Sequence, residues 1–343
     1  MPARDKTLGA WLLACCLLVL AVLVSGGITR LTRSGLSIVE WKPVLGVVPP
    51  LGEARWREEF AKYQKTPEFR EVNADMTLAG FRSIYWMEWA HRLLARLAGL
   101  VFLIPLLAFA RAGRIPSALF PRLAAIAVLW ALQGVAGWYM VKSGLVDRPH
   151  VSAYRLALHL ALACALYGSM LWTALDLLRP RSPGARRLDR LERLNLAGLA
   201  GIVLTILSGA LVAGLKAGFV YNTFPLMAGR WVPPFLFERE PWLANLFENE
   251  ITVQFDHRVL ALLLAAGMGW LWLEARRRPL ARASRTALRL LLAATGVQIS
   301  LGIAALLYKV PVLMGAAHQG NAFLVLGAAL LLQHRLGGEP AAP

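Results

Sequence analysis

The chain has 343 residues, 57% of them hydrophobic, with a formal net charge of +17 and a mean hydropathy of +0.54. Soluble globular domains rarely combine such values, so the composition points to an integral membrane protein. The arginines lie between long apolar runs rather than in a basic patch interleaved with aromatics, which argues against nucleic-acid binding.

Apolar runs of about twenty residues, enough to cross about 30 Å of hydrocarbon, fall at 8–28, 87–109, 121–141, 154–178, 195–215, 255–275, 286–307 and 312–333. The first follows a short basic start, as a signal peptide would. It is long enough to span, and Ser25-Gly26-Gly27 leads into polar sequence without a small-x-small cleavage site, so it is read as a retained helix. The expected fold class is thus an all-α integral membrane protein with eight transmembrane helices. The connections carrying Arg111, Arg114 and Arg122, then Arg179 to Arg193, then Arg276 to Arg285, are short and basic and belong in the cytoplasm together with both termini. Connections 29–86 and 216–254 are placed outside, as ordered caps with interfacial stretches such as Trp56 to Lys65. Cys15, Cys16 and Cys164 all lie inside apolar runs, which suits neither a disulfide framework nor a CxxC site.

The chain repeats itself. Ser25-Gly26, Arg33-x-Gly35 and Pro49-Pro50 have counterparts in Ser208-Gly209, Lys216-x-Gly218 and Pro233-Pro234. EWAHR at 88–92 matches QFDHR at 254–258, Gln133 with Gly137 matches Gln298 with Gly302, and His159 matches His318. Residues 1–190 and 191–343 are therefore read as two four-helix bundles in parallel orientation, related by a pseudo-twofold axis along the membrane normal.

Of six histidines, His91, His159, His257 and His318 fall near the outer starts of spans two, four, six and eight, at a common depth. His150, in an outer loop, and His334, near the opposite end of the last span, do not share that depth and are read as non-ligands. Zinc would want cysteine or carboxylate completion of a tetrahedral set, which these histidines lack. Two imidazoles facing each other across a four-helix bundle suit haem iron instead, with His91 and His159 in one site and His257 and His318 in the other. Arg92 and Arg258 follow a ligand directly, and two readings fit them: partners for haem propionates, or side chains snorkelling to lipid headgroups. Glu88 lies three residues before His91 on the same helix face, whereas its counterpart is the neutral Gln254, with Asp256 nearby at a different angle. A carboxylate near hydrocarbon is either a functional group or an interfacial acid paired with Arg92 or an outer-loop arginine. The asymmetry suggests chemistry in the first half and electron supply or scaffold in the second.

GGITRLTRSGLSIVEWKPVLGVVPPL at 26–51, EWAHRLLARLAG at 88–99, AGFVYNTFPLM at 217–227, NLFENEITVQFDHR at 245–258 and the late GAAHQGN closely resemble the haem A synthase family, over nearly the whole chain. The resemblance implies oxidation of the C8 methyl of haem O to a formyl group through hydroxylated intermediates, with water as the oxygen source. It implies haem b as the cofactor on His257 and His318, and substrate haem O flanked by His91 and His159 with Glu88 near the reacting methyl. It also implies a multi-pass protein of the bacterial inner membrane with haem sites towards the periplasmic side, and haem O synthase and cytochrome oxidase assembly factors as partners. The subgroup with a cysteine pair in the first outer loop is excluded, since 29–86 contains no cysteine; the chain resembles the proteobacterial and mitochondrial subgroup. Two other classes compete: a bis-haem cytochrome b that only transfers electrons to or from quinone, and a haem transporter or chaperone without turnover.

Overall fold

The computed structural model describes residues 5–42, 45–146, 149–179 and 188–338. These are helical, with no strand among them: α1 (Lys6–Leu31), α2 (Glu53–Tyr63), α3 (Pro67–Val72), α4 (Leu78–Arg111), α5 (Phe120–Val146), α6 (Ala153–Leu178), α7 (Arg190–Gly214), α8 (Asn245–Glu248), α9 (Glu250–Arg276), α10 (Arg282–Leu307) and α11 (Val312–Leu336). Eight of them, α1, α4 to α7 and α9 to α11, are long and apolar enough to cross a membrane. In hydrocarbon a helix satisfies every backbone group within itself, so the apolar runs have no competing conformation.

The ends are set by local chemistry. Asp5 caps α1, its Oδ1 accepting from the amides of Thr7 and Leu8 at 2.9 and 3.0 Å. Asp189 and Glu192 form a reciprocal capping box at the start of α7. Asn249 caps α9 by accepting from Ile251 and Thr252. Most of the basic connection between α6 and α7, residues 180–187, lies outside the described residues.

The second span differs from its expected bounds. α4 begins at Leu78, well before 87, with Thr77 as its cap. Its outer extension is held by aromatic packing rather than by lipid. Phe81 and Tyr85 are buried against Trp56 and Tyr63 of α2, with Tyr63 and Phe81 stacked at 5.4 Å and Trp56 edge-on to Tyr85 at 5.1 Å. His91 therefore sits more than three turns into its helix, whereas His159, His257 and His318 sit within about two turns of theirs.

Helix pairing follows the repeat. In the first half α1 packs on α4 and α6, and α6 on α5; in the second, α7 packs on α9 and α11, and α11 on α10. Between the halves α1 meets α11 and α6 meets α7, two contacts that exchange when the halves are swapped, while α6 also meets α11. Small residues permit close approach at these seams: a Cβ on Gly214 would stand 2.6 Å from Ala153, and one on Gly320 2.8 Å from Val24. The backbones of α4 and α5 scarcely approach each other, though Phe102 and Trp130 stack between them at 5.8 Å. The gap is bridged outside by the first loop, where α3 packs on α5 and Trp41 lies 5.4 Å from Trp138.

On the opposite side His334 is 2% exposed and 3.2 Å from Asp176, which also accepts from Arg122 at 2.8 Å. That arrangement ties α5, α6 and α11 together. Cys15, Cys16 and Cys164 are free and buried.

Candidate functional site

One cavity of about 2040 Å³ is lined by residues of all eight long helices, α1, α4 to α7 and α9 to α11. Pockets for single drug-sized ligands span about 300–1,000 Å³, so this space suits two large occupants. His91, His159, His257 and His318 all line it, as do Glu88, Arg92 and Arg258; His150 reaches its edge from the loop before α6.

Each of the four histidines faces a glycine on the preceding transmembrane helix. A Cβ at Gly26, Gly137, Gly209 or Gly302 would stand 2.9, 3.3, 3.1 or 2.8 Å from Cε1 of His91, His159, His257 or His318, respectively. All four distances are shorter than ordinary van der Waals contact, so the glycines make room for the rings. Nδ1 of His91 lies 2.8 Å from Ser25 Oγ, and Nδ1 of His257 lies 2.8 Å from Ser208 Oγ. The Ser25 hydroxyl donates to the Val22 carbonyl at 2.8 Å, so its oxygen accepts from Nδ1–H and leaves Nε2 of His91 as the lone-pair nitrogen a metal needs. The Ser-Gly and Gln-x-x-x-Gly repeats thus belong to the histidine sites, a role that repetition alone did not disclose.

The fourth position breaks the pattern. Gln298 places its amide nitrogen 3.2 and 3.3 Å from the ring nitrogens of His318, and its own oxygen accepts from Asn321 at 2.9 Å. Its counterpart Gln133 donates to the backbone oxygen of His159 instead, and Nδ1 of His159 is buried with no partner among the described residues. The His257 and His318 rings lie 6.5 Å apart at 79°. Two imidazole nitrogens each about 2 Å from one metal ion place the ring centres roughly 6 Å apart, so this pair could hold one metal ion between its rings. Nowhere among the described residues do three or more His, Cys, Asp or Glu side chains converge on a point suited to a metal ion.

Arg92 and Arg258 perform a matched task. Arg92 Nη2 donates to the Ile38 carbonyl at 3.1 Å, and Arg258 Nη2 to the carbonyl of Tyr221 at 2.9 Å. Each clamps the backbone of the outer loop that follows the first helix of its half. Arg258 also donates from Nη1 to Thr223, while its Nε is buried without a partner among the described residues. Glu88 is 2% exposed and fully engaged: Oε1 accepts from Arg92 Nε and Nη2 at 3.0 and 2.6 Å, and Oε2 from Ser37 Oγ and the Ile38 amide at 2.7 and 2.8 Å. The interfacial ion pair with Arg92 and the position on the cavity wall coexist in one side chain. Gln254 instead donates to Tyr221 at 3.1 Å, leaving its own oxygen buried and unpartnered among the described residues.

A second buried acid, Glu68 of α3, reaches the cavity from the first outer loop. Nothing in the linear pattern marks it beyond a position in a charged segment.

The COX15-CtaA family model, described as cytochrome oxidase assembly protein, matches residues 9–330. The chain belongs to the COX15-CtaA family. Among its members, a heme A synthase of Nitrosospira multiformis is 50% identical over 97% of this chain and 94% of that protein. One from Parvibaculum lavamentivorans is 47% identical over 97% of this chain and 95% of its own length. Heme A synthase COX15 of Homo sapiens is 44% identical over 98% of this chain and 84% of the human protein. Bacterial and mitochondrial members are thus both close, as the motifs of the first outer loop led one to expect.

Proposed function

We propose that the chain is a haem A synthase, an oxidoreductase that converts haem O to haem A for cytochrome oxidase in the bacterial inner membrane. The observation that carries this reading is the large cavity onto which all four glycine-backed histidines open, in a chain whose relatives are named for that synthesis. The finer chemistry is oxidation of the C8 methyl to a formyl group through hydroxylated intermediates, with water as the oxygen source.

The halves are assigned as pseudo-twofold-related four-helix bundles, 1–190 and 191–343, on the support of the exchanged helix pairings. His257 and His318 would hold haem b, whose contribution when bound is one-electron redox capacity; the 6.5 Å ring separation and the Gln298–Asn321 support fit that group. His91 and His159 would flank haem O. Glu88 meets only donors, so it acts as a fixed acceptor and negative wall beside the first pocket, suited to positive charge developing on the substrate. Arg258, with Nε unpartnered, keeps a donor for a ligand carboxylate, whereas Arg92 is committed to Glu88 and Ile38. The short basic connections on one side support a topology with both termini in the cytoplasm and the haem sites towards the periplasm. Haem O synthase and cytochrome oxidase assembly factors are the partners this role calls for.

The matched serine, glycine and arginine contacts favour one alternative, a bis-haem cytochrome b that only transfers electrons. Extraction of the haems from purified protein separates the two. The synthase contains haem b together with haem O, its hydroxylated derivative or haem A; haem b alone, with no conversion when haem O is co-produced, selects the cytochrome.

A further inference from the structure

Glu68 lies on α3, in the loop between α1 and α4, where α2 packs on α4 and α3 packs on α5, so the loop covers the side of the cavity that α4 and α5 form. It is 5% exposed and lines the cavity. Oε2 lies 3.1 Å from the hydroxyl of Tyr63, a ring that is wholly buried. That hydroxyl in turn accepts from Asn73 Nδ2 at 2.7 Å. With the amide donating to it, the Tyr63 hydroxyl has one proton to place and Glu68 Oε2 is the acceptor within reach. Burial pushes the Tyr63 phenol up, so it keeps that proton. Oε2 is thereby fixed as an acceptor. Oε1 has no partner among the described residues.

Burial also pushes the Glu68 carboxyl up to about 7, against the opposing Tyr63 hydrogen bond; nearby Glu88 raises it and the Arg33 and Lys216 cations lower it. On the packed side of α5, Lys142 is turned over the Trp138 ring at 5.3 Å. Arg33 and Lys216, counterparts in the repeat, both line the cavity with left-handed backbone at φ 53° and 57°. When Glu68 is neutral, the Tyr63–Asn73 relay leaves its proton nowhere but on Oε1.

We propose that Glu68 is a carboxylic acid that donates from Oε1 to a carboxylate of the macrocycle in the first pocket, with Arg33 and Lys216 supplying positive charge at the same rim. It is a binding and positioning group for the substrate of the reading above, on which this inference rests. Two carboxyl groups sharing one proton hold each other strongly, and two carboxylates repel, so the contact works only while Glu68 is protonated. The second pocket has no such group among the described residues: the buried polar residues of its outer loop and adjoining helix start are Asn245, Asn249, Thr252 and Gln254.

The test is binding to full-length protein carrying haem b, whose spectrum reports an intact second half. Ferric haem O and its dimethyl ester, in which both carboxylates are masked, are titrated on either side of neutral pH into wild type, Glu68→Gln and Glu68→Ala. Wild-type affinity for haem O should fall about tenfold as pH rises through the Glu68 titration, the worth of one charge-assisted hydrogen bond. Glu68→Gln, a permanent neutral donor, should hold the low-pH affinity throughout; Glu68→Ala should start about tenfold weaker and stay flat. The ester should be indifferent to both pH and substitution. An unchanged pH curve in both variants, or the same curve with the ester, overturns the proposal and leaves the synthase reading standing. Wild type that takes up haem b but no haem O overturns both.

Discussion

On the outer side of the first half the buried acids are Glu68 and Glu88; at the corresponding level of the second half they are replaced by amides and a hydroxyl. In the second half both histidines have a side-chain partner on the ring, Ser208 for His257 and Gln298 for His318. In the first half His91 has Ser25, and His159 has none on Nδ1 among the described residues. The shared scaffold of glycine, serine and arginine makes space for a ring and fixes a loop. What differs is charge and restraint. A retained cofactor gains from two tied ligands in a neutral pocket. A substrate that must enter, react and leave would be better served by a fixed negative charge and one histidine held more loosely.

The largest effect expected is at a ligand. His257→Ala should abolish the haem b spectrum while haem O still binds the first half, because no neighbouring side chain replaces the lost imidazole. An unchanged spectrum would move the cofactor to the other half. Next comes the charge asymmetry. Glu88→Ala should retain haem b and lower haem A output by about a hundredfold or more, with haem O or a partly oxidised form accumulating, the scale seen when one preorganised electrostatic group is removed. The reciprocal Gln254→Glu should leave output near wild type. Equal losses from the two substitutions would mean that Glu88 matters as the latch for Ser37 and Ile38 rather than as the wall of a reactive pocket, and a rescue by Glu88→Gln would point the same way.

Much of this contrast was legible in the sequence because membrane helices write themselves plainly: the eight runs, the internal repeat and the four histidines need only hydropathy and spacing. Glu88 against Gln254 could be read from the alignment of the halves. The outer extension of α4 could not, because Phe81 and Tyr85 look interfacial until α2 is seen to cover them. The Arg92 and Arg258 clamps were hidden for a related reason. Their acceptors are backbone carbonyls of Ile38 and Tyr221, and no side-chain pattern marks a carbonyl. Glu68 depends on a loop folding back over the cavity, information that local sequence does not hold.

The glycines probe how much ring motion each half tolerates. Gly302→Ala puts a Cβ 2.8 Å from His318, which Gln298 also restrains, so the ring has to tilt; haem b affinity should fall towards about a hundredfold, the upper range for a misoriented ligand. Gly137→Ala meets His159 at 3.3 Å, and that ring has no partner on Nδ1 to lose. Haem O binding should weaken much less. Comparable losses in the two variants would remove the difference in restraint.

The smallest effect separates the two glutamines. Gln298→Ala removes the amide beside His318 and leaves Asn321 only the Ala294 carbonyl as acceptor, so haem b affinity should fall about tenfold, the lower range for a group that orients a ligand. Gln133→Ala removes a bond to the His159 backbone only, and the ring keeps its freedom. The haem b spectrum should be untouched and haem O affinity nearly so. Installing the missing restraint is the sharper version. Leu162 is the first-half counterpart of Asn321 when His159 is aligned with His318, and the buried oxygen of Gln133 has no donor among the described residues. Leu162→Asn supplies that donor and gives Gln133 an amide to turn against, while Leu162→Ala controls for the lost side chain. If a loosely held His159 is what lets the first pocket turn over, the asparagine variant should bind haem O more tightly than the alanine one and convert it more slowly. Faster conversion with tighter binding would show that restraint of the fourth histidine is not what distinguishes the two halves.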